Sequence, residues 1–177
     1  MMHDAARSDE QNADEPNPDL QRFLQKMLGS VASTLEEIVG LEEAKGYMSL
    51  VGEQLACSTD IAPGRCASAY ETGDLFVSMQ RQVGGGFRVT STGVDRVELQ
   101  SLTCPFGRHV VGRPSLCMIT SNMFGRLAAE QHGHVTVELA EAIARGDRRC
   151  VVRVNTAPDL EISTDNQRHF FADDRER

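Results

Sequence analysis

"HVTVELAEAIARGDRRCVVRV", residues 134–154, alternates through Val135, Val137 and Leu139, breaks at Gly146-Asp147, and alternates again through Cys150, Val152 and Val154. Successive side chains of a strand point to opposite faces, so this period of two reads as two strands, each with one apolar side. The glycine-aspartate step between them is turn chemistry. Cys150 falls in phase with Val152 and Val154 and therefore shares their face.

Just upstream the period changes. In "RPSLCMITSNMFGRLAAEQHG", residues 113–133, Leu116, Ile119, Met123, Phe124, Leu127 and Ala128 recur at helical spacing, which predicts a helix starting near Pro114 and ending at Gly133. "FRVTSTGVDRVELQS", residues 87–101, alternates on either side of Thr92-Gly93 and reads as a hairpin whose second strand delivers Cys104. The glycine triplet 84–86 lacks the lysine and hydroxyl residue of a phosphate-binding loop, so it reads as a helix-to-strand turn.

Toward the N-terminus the pattern is helical. Asn17 and Pro18 are an N-cap and first-turn pair, followed by Leu20, Phe23, Leu24, Met27, Leu28, Val31, Leu35 and Ile38 on one long amphipathic helix closed by Gly40. "LEEAKGYMSLVGEQLA", residues 41–56, predicts a second helix with Leu41, Ala44, Tyr47, Met48, Val51 and Leu55 in a stripe, angled against the first. "CSTDIAPGRC", residues 57–66, reads as a loop, and residues 68–83 as a weaker third helix through Phe76, Met79 and Val83. Strands and helices are segregated rather than alternating. The expected fold is therefore α+β, with amphipathic helices on an antiparallel sheet built from two hairpins. Residues 1–16 have the composition of a disordered acidic tail, 17–156 form the domain, and 157–177 read as a flexible C-terminal tail.

Composition narrows the functions. The 177 residues carry a formal charge of −8, which repels phosphate and disfavours direct nucleic-acid contact. With no apolar run long enough to cross a bilayer and no hydrophobic leader, a cytoplasmic protein is expected. Five cysteines in a reducing compartment make a disulfide framework the poorer reading, leaving free thiols or metal ligands. Thiolates suit zinc, copper(I) and iron-sulfur clusters. Cys117, at a helix start, would have its thiolate favoured by the helix dipole. Spacing alone does not match the paired knuckles of structural zinc sites, and three small buried hydrophobes are the alternative.

The stretches 41–56, "CPFGRHVVGRPSLCMITSNMFGRLAAEQHG" at 104–133, and "VELAEAIARGDRRCVVRV" at 137–154 closely resemble the methanogen output domain family of signalling proteins. The resemblance extends to the 4-vinyl reductase type of small-ligand or metal-binding domain. It reaches distantly to the C-terminal part of iron-sulfur-sensing repressors. It implies that Cys104, Cys117 and Cys150 bind a metal, as an iron-sulfur cluster or zinc, with His109, His132 or His134 available to complete a zinc site. The winged helix of those repressors has no counterpart here, so DNA binding is not implied. Nor does the chain contain a kinase or receiver, so the expected partner is a separate histidine kinase or response regulator, with no membrane partner and with a homodimer possible. Cys57 and Cys66 fall outside the implied site, as surface thiols.

Two rival classes remain open. In an enzyme, Cys104 would be nucleophile and His109 base, with Arg108 or Arg113 holding an anionic small molecule, although no third group orients the histidine. In a ligand-free interaction module, the first helix would pair between chains, and Gly29, Ser30, Ala32 and Ser33 would allow close approach. Those small residues fit packing within one chain equally well. The acidic run "LEEIVGLEEAK" at residues 35–45 reads as a solvated face.

Overall fold

In a computed structural model, residues 17–58, 68–157 and 166–172 are described. The first helix, α1 (Pro18–Val39), starts where expected: the Asn17 side chain accepts from the Asp19 and Leu20 amides at 2.9 and 3.3 Å. Such a cap contributes about 1 kcal/mol. Gly40, with φ of 86°, ends it, and α2 (Leu41–Ser58) begins at the next residue. The third helix, α3 (Ala69–Gln82), opens on a reciprocal Ser68–Glu71 capping box. The hairpin β1 (Arg88–Thr92) and β2 (Arg96–Ser101) leads through 3-10 turns at Gly107–Val110 and Pro114–Leu116 into α4 (Cys117–His132). Then come β3 (His134–Glu141), β4 (Cys150–Asn155) and β5 (Gln167–Phe171).

The strands form one antiparallel sheet in the order β1-β2-β4-β3-β5. Its two hairpins are joined between β2 and β4, so the α+β reading holds. Register places Val97, Val154 and Val137 in one row and Leu99, Val152 and Leu139 in the next, each at most 5% exposed. Cys150 pairs with Ser101 at the end of the same face, as its phase requires. On the opposite face Arg153 bridges Glu98 and Glu138 across three strands. α3 and α4 cover the apolar face, joined by Phe76 stacked on Phe124 at 4.1 Å, with Phe87 edge-on to Phe124 at 5.9 Å. α2 lies on α4, and α1 on α2 and the two 3-10 turns.

Three expectations change. The sheet extends beyond residue 156: β5 pairs with β3 from His134↔Phe171 to Glu138↔Gln167, so part of the expected C-terminal tail is structural. Phe170 reaches α4 because Gly125 leaves its ring the space a side chain would fill. The expected tail at 1–16 lies outside the described residues.

α2 buries only part of its expected stripe. It turns Ala44, Met48, Gly52 and Ala56 inward, while Tyr47, Val51 and Leu55 stay exposed. The small residues Ala44, Gly52 and Ala56 on that face let its backbone close on α4: a Cβ at Gly52 would sit 2.6 Å from the Ile119 carbonyl. Larger side chains on that face would hold the helices apart.

α1 is turned the same way. Apart from Leu35, which packs against the core, its inward side is largely polar or small: Gln25 donates to the Pro105 carbonyl at 2.8 Å, Ser33 accepts from Arg113 at 3.1 Å, and Gly29 rests on His109. Glu36 accepts from the Ser115 amide at 3.2 Å, so the acidic run is not wholly solvated. Thus Gly29 and Ala32 serve packing within the chain. Leu20, Phe23, Leu24, Met27, Val31 and Ile38 face outward.

Candidate functional site

Cys104 sits in a tight turn after β2. Its carbonyl accepts from the Gly107 amide at 2.8 Å, and Gly107 has φ of +60°, which other residues adopt only with strain. The turn aims the Phe106 amide at the Cys104 sulfur. Cys117 is the first residue of α4, and Cys150 the first of β4, where its Sγ accepts from the Ile143 amide at 3.5 Å. A hairpin end, a helix start and a strand start thus bring the three cysteines to one cleft. Phe87, Phe106, Leu139 and Val152 supply most of its apolar wall. Its volume of about 30 Å³ is room for roughly one water-sized body.

Burial dominates the chemistry of these thiols. It pushes Cys104 and Cys117 up to about 12, and Cys150 upward as well. Each additional anion would repel the others, which raises Cys104 and Cys117 further. The Phe106 and Ile143 amides and the Arg145 guanidinium pull the other way and do not win. The expected thiolate at Cys117 is therefore not favoured: loss of hydration outweighs the position at a helix start. At neutral pH all three are neutral thiols until something replaces their protons.

The cleft brings the cysteines together without closing them. Among the described residues, no group of three His, Cys, Asp or Glu side chains is gathered tightly enough to grip one ion. The histidines expected nearby are engaged elsewhere. His132 bonds Thr72 Oγ1 at 2.8 Å, His134 bonds His169 at 3.2 Å and stacks on Phe171, and His109 packs under Gly29. None of them lines the cleft. Cys57 is exposed at the end of α2, and Cys66 lies outside the described residues.

The enzyme alternative loses its parts in the same way. His109 is not on the wall, so Cys104 lacks the histidine base expected for it. Arg113 is tied to Ser33 and to the His109 and Val111 carbonyls, while Arg108 is exposed.

One cleft residue escaped the sequence reading. Glu141 stands on the wall, held by Arg149 through two bonds of 2.8 Å that keep its carboxyl below the usual range. A β-bulge between Leu139 and Glu141 sets it level with Val151, beside Cys150. Strand alternation alone carries no signal for that bulge. Cys117 and Leu139 also border a larger cavity of about 160 Å³ on the other side, with Lys45, Arg145 and Arg168.

Comparison with known proteins gives three results. No curated protein matches this chain. Among solved structures, a trafficking protein particle complex subunit 3 from Naegleria fowleri, covalently bound to palmitic acid, superposes with a TM-score of 0.55 at 13% identity, over 78% of this chain and 96% of that one. At that identity the likeness is one of fold. Among the described residues no helix is long and apolar enough to cross a membrane. The stretch 65–155, which carries β1 to β4, α3, α4 and all three cleft cysteines, matches the family described as methanogen output domain 1. That is more than half of the sequence, and the chain belongs to this family of signalling output domains.

Proposed function

We propose that this output domain signals through a soft metal centre held by Cys104, Cys117 and Cys150. The observation that carries the reading is the meeting of these three residues, far apart in sequence, in one small apolar cleft. The donor chemistry fits: sulfur ligands suit zinc or iron, and the Phe106 and Ile143 amides would support two of them as thiolates. A bound metal would supply the positive charge that lets buried sulfur ionise. The cleft volume favours a single ion over an iron-sulfur cluster, and three cysteine ligands leave a fourth position for a small molecule.

The output path follows from what the cysteines anchor. Cys104 and Cys117 bracket the segment that α1 clamps through Gln25–Pro105, Ser33–Arg113 and Glu36–Ser115. Drawing the two sulfurs together, or releasing them, would move this segment against α1. A histidine kinase or response regulator on a separate chain would read that movement.

Anaerobic purification followed by metal and acid-labile sulfide analysis tests the reading. About one equivalent of metal is expected, lost in Cys104→Ser, Cys117→Ser and Cys150→Ser and kept in Cys57→Ser and Cys66→Ser. Because the thiols start neutral, binding should release about three protons and tighten as pH rises. No stoichiometric metal in the anaerobic protein would overturn the proposal. The palmitic acid of the fold neighbour suggests an acyl group on a cleft cysteine as a second reading, favoured by the apolar wall. A cleft of about 30 Å³ admits no long acyl chain without opening, so that reading predicts an acyl mass adduct on the intact protein.

A further inference from the structure

We infer that α1 is a dimerisation helix, pairing in parallel with α1 of a second copy of this chain. The inference is independent of the metal centre. Leu20, Leu24, Met27, Val31, Thr34 and Ile38 recur at alternating intervals of four and three residues along α1. This is the repeat of a coiled-coil seam. Its large apolar members are 54, 42, 44, 51 and 75% exposed, and Phe23 beside them is 62% exposed. The opposite side of the helix, with Gln25, Gly29, Ala32, Ser33 and Glu36, is the one the domain occupies.

A second copy is the occupant the observations favour. The seam is self-complementary, because a two-fold axis sets each position against its own counterpart. Val31 and Ile38, with Leu24, at one seam position, and Leu20 and Met27, with Thr34, at the other follow in the main the preference for β-branched residues at the first and residues not branched at Cβ at the second that favours two parallel strands. Phe23, Leu41 and the five seam residues expose on the order of 700 Å², near the roughly 800 Å² that each partner gives to a standard interface. Monomers rarely leave a contiguous patch of that size to water. Residues 1–16 offer such a seam no large apolar side chains except Met1 and Met2. An anionic membrane is disfavoured by the −8 charge.

Light scattering on the full chain at tens of micromolar should give twice the chain mass of 19.4 kDa. The double variant Leu24→Glu/Val31→Glu should return it to 19.4 kDa with an unchanged circular dichroism spectrum, because both side chains are exposed. In a Cys57→Ser/Cys66→Ser background, Thr34→Cys should form an interchain disulfide under mild oxidation, since a parallel pair sets residue 34 against itself. A monomeric wild type overturns the proposal, and one that sediments with neutral phospholipid vesicles would assign the face to lipid instead. A dimer that survives the double variant also overturns it, and a dimer that the variant dissociates but Thr34→Cys fails to cross-link overturns the parallel arrangement.

Discussion

α1 and α4 have opposite relations between pattern and burial. α4 is weakly amphipathic, yet nine of its sixteen residues are buried, because α2, α3 and the sheet close on it from several sides. α1 is the most strongly amphipathic helix, yet only Gly29 and Ala32 of its twenty-two residues are buried. A helical period measures how well apolar and polar residues are segregated; it does not say which side a neighbour takes. α4 meets its neighbours through small positions such as Ser121, Gly125 and Ala128, whereas α1 meets the domain through hydrogen bonds, two small residues and Leu35 and leaves most of its apolar side outward.

The sharpest way to break this contrast is to truncate one phenylalanine on each helix. Phe124→Ala removes a fully buried ring that stacks on Phe76 and meets Phe87, and should cost about 3–5 kcal/mol in denaturant unfolding. Phe23→Ala should change the stability of the isolated monomer by less than about 0.5 kcal/mol. Equal losses at the two sites would mean that α1 is buried within its own chain after all.

A smaller effect sharpens the comparison through α2, which joins the two. Gly52→Ala pushes a methyl against the Ile119 carbonyl and should destabilise by about 1–3 kcal/mol. Gly46→Ala, six residues earlier with nothing within 4 Å, should stabilise by up to about 1 kcal/mol through helix propensity. If both variants were stabilising, the close approach of α2 to α4 would be wrong.

The smallest expected effect comes from the end of α4. Burial lowers His132 from its ordinary value of 6.5, with Asp95 partly opposing, so the folded chain keeps the ring neutral where the unfolded chain takes up a proton. Stability should therefore fall as pH drops below about 6.5 toward the lower folded value, with no contribution above it. His132→Gln should flatten that part of a melting-temperature profile. An unchanged slope would show that the ring is free to protonate in the fold.

What could be read from the residues was mostly local. The Asn17 cap, the Gly40 and Gly133 stops, the hairpin around Gly93 and the face of Cys150 each depend on a few neighbouring residues, and each lies where expected. The candidate site was less legible. Cys104, Cys117 and Cys150 were singled out through family resemblance, because their sequence spacing matches no metal knuckle. Glu141 was missed because a bulge leaves no mark on an alternating pattern. β5 was missed because "QRHFF" at 167–171 is short and mostly polar, and becomes a strand by pairing with an already formed edge at β3.

By itself the sequence determined an α+β chain with helices over a two-hairpin sheet, since periods of two and of three to four residues follow from backbone geometry alone. Tertiary structure alone decided which side of each helix is inside and which side chains meet. Those outcomes depend on close approach at Gly29, Gly52 and Gly125 and on desolvation at the cysteine cleft. Both are properties of surfaces brought together from distant parts of the chain. The same thiol that a helix start would ionise stays neutral once α4 is buried, because the cost of removing a charge from water exceeds what Arg145 returns.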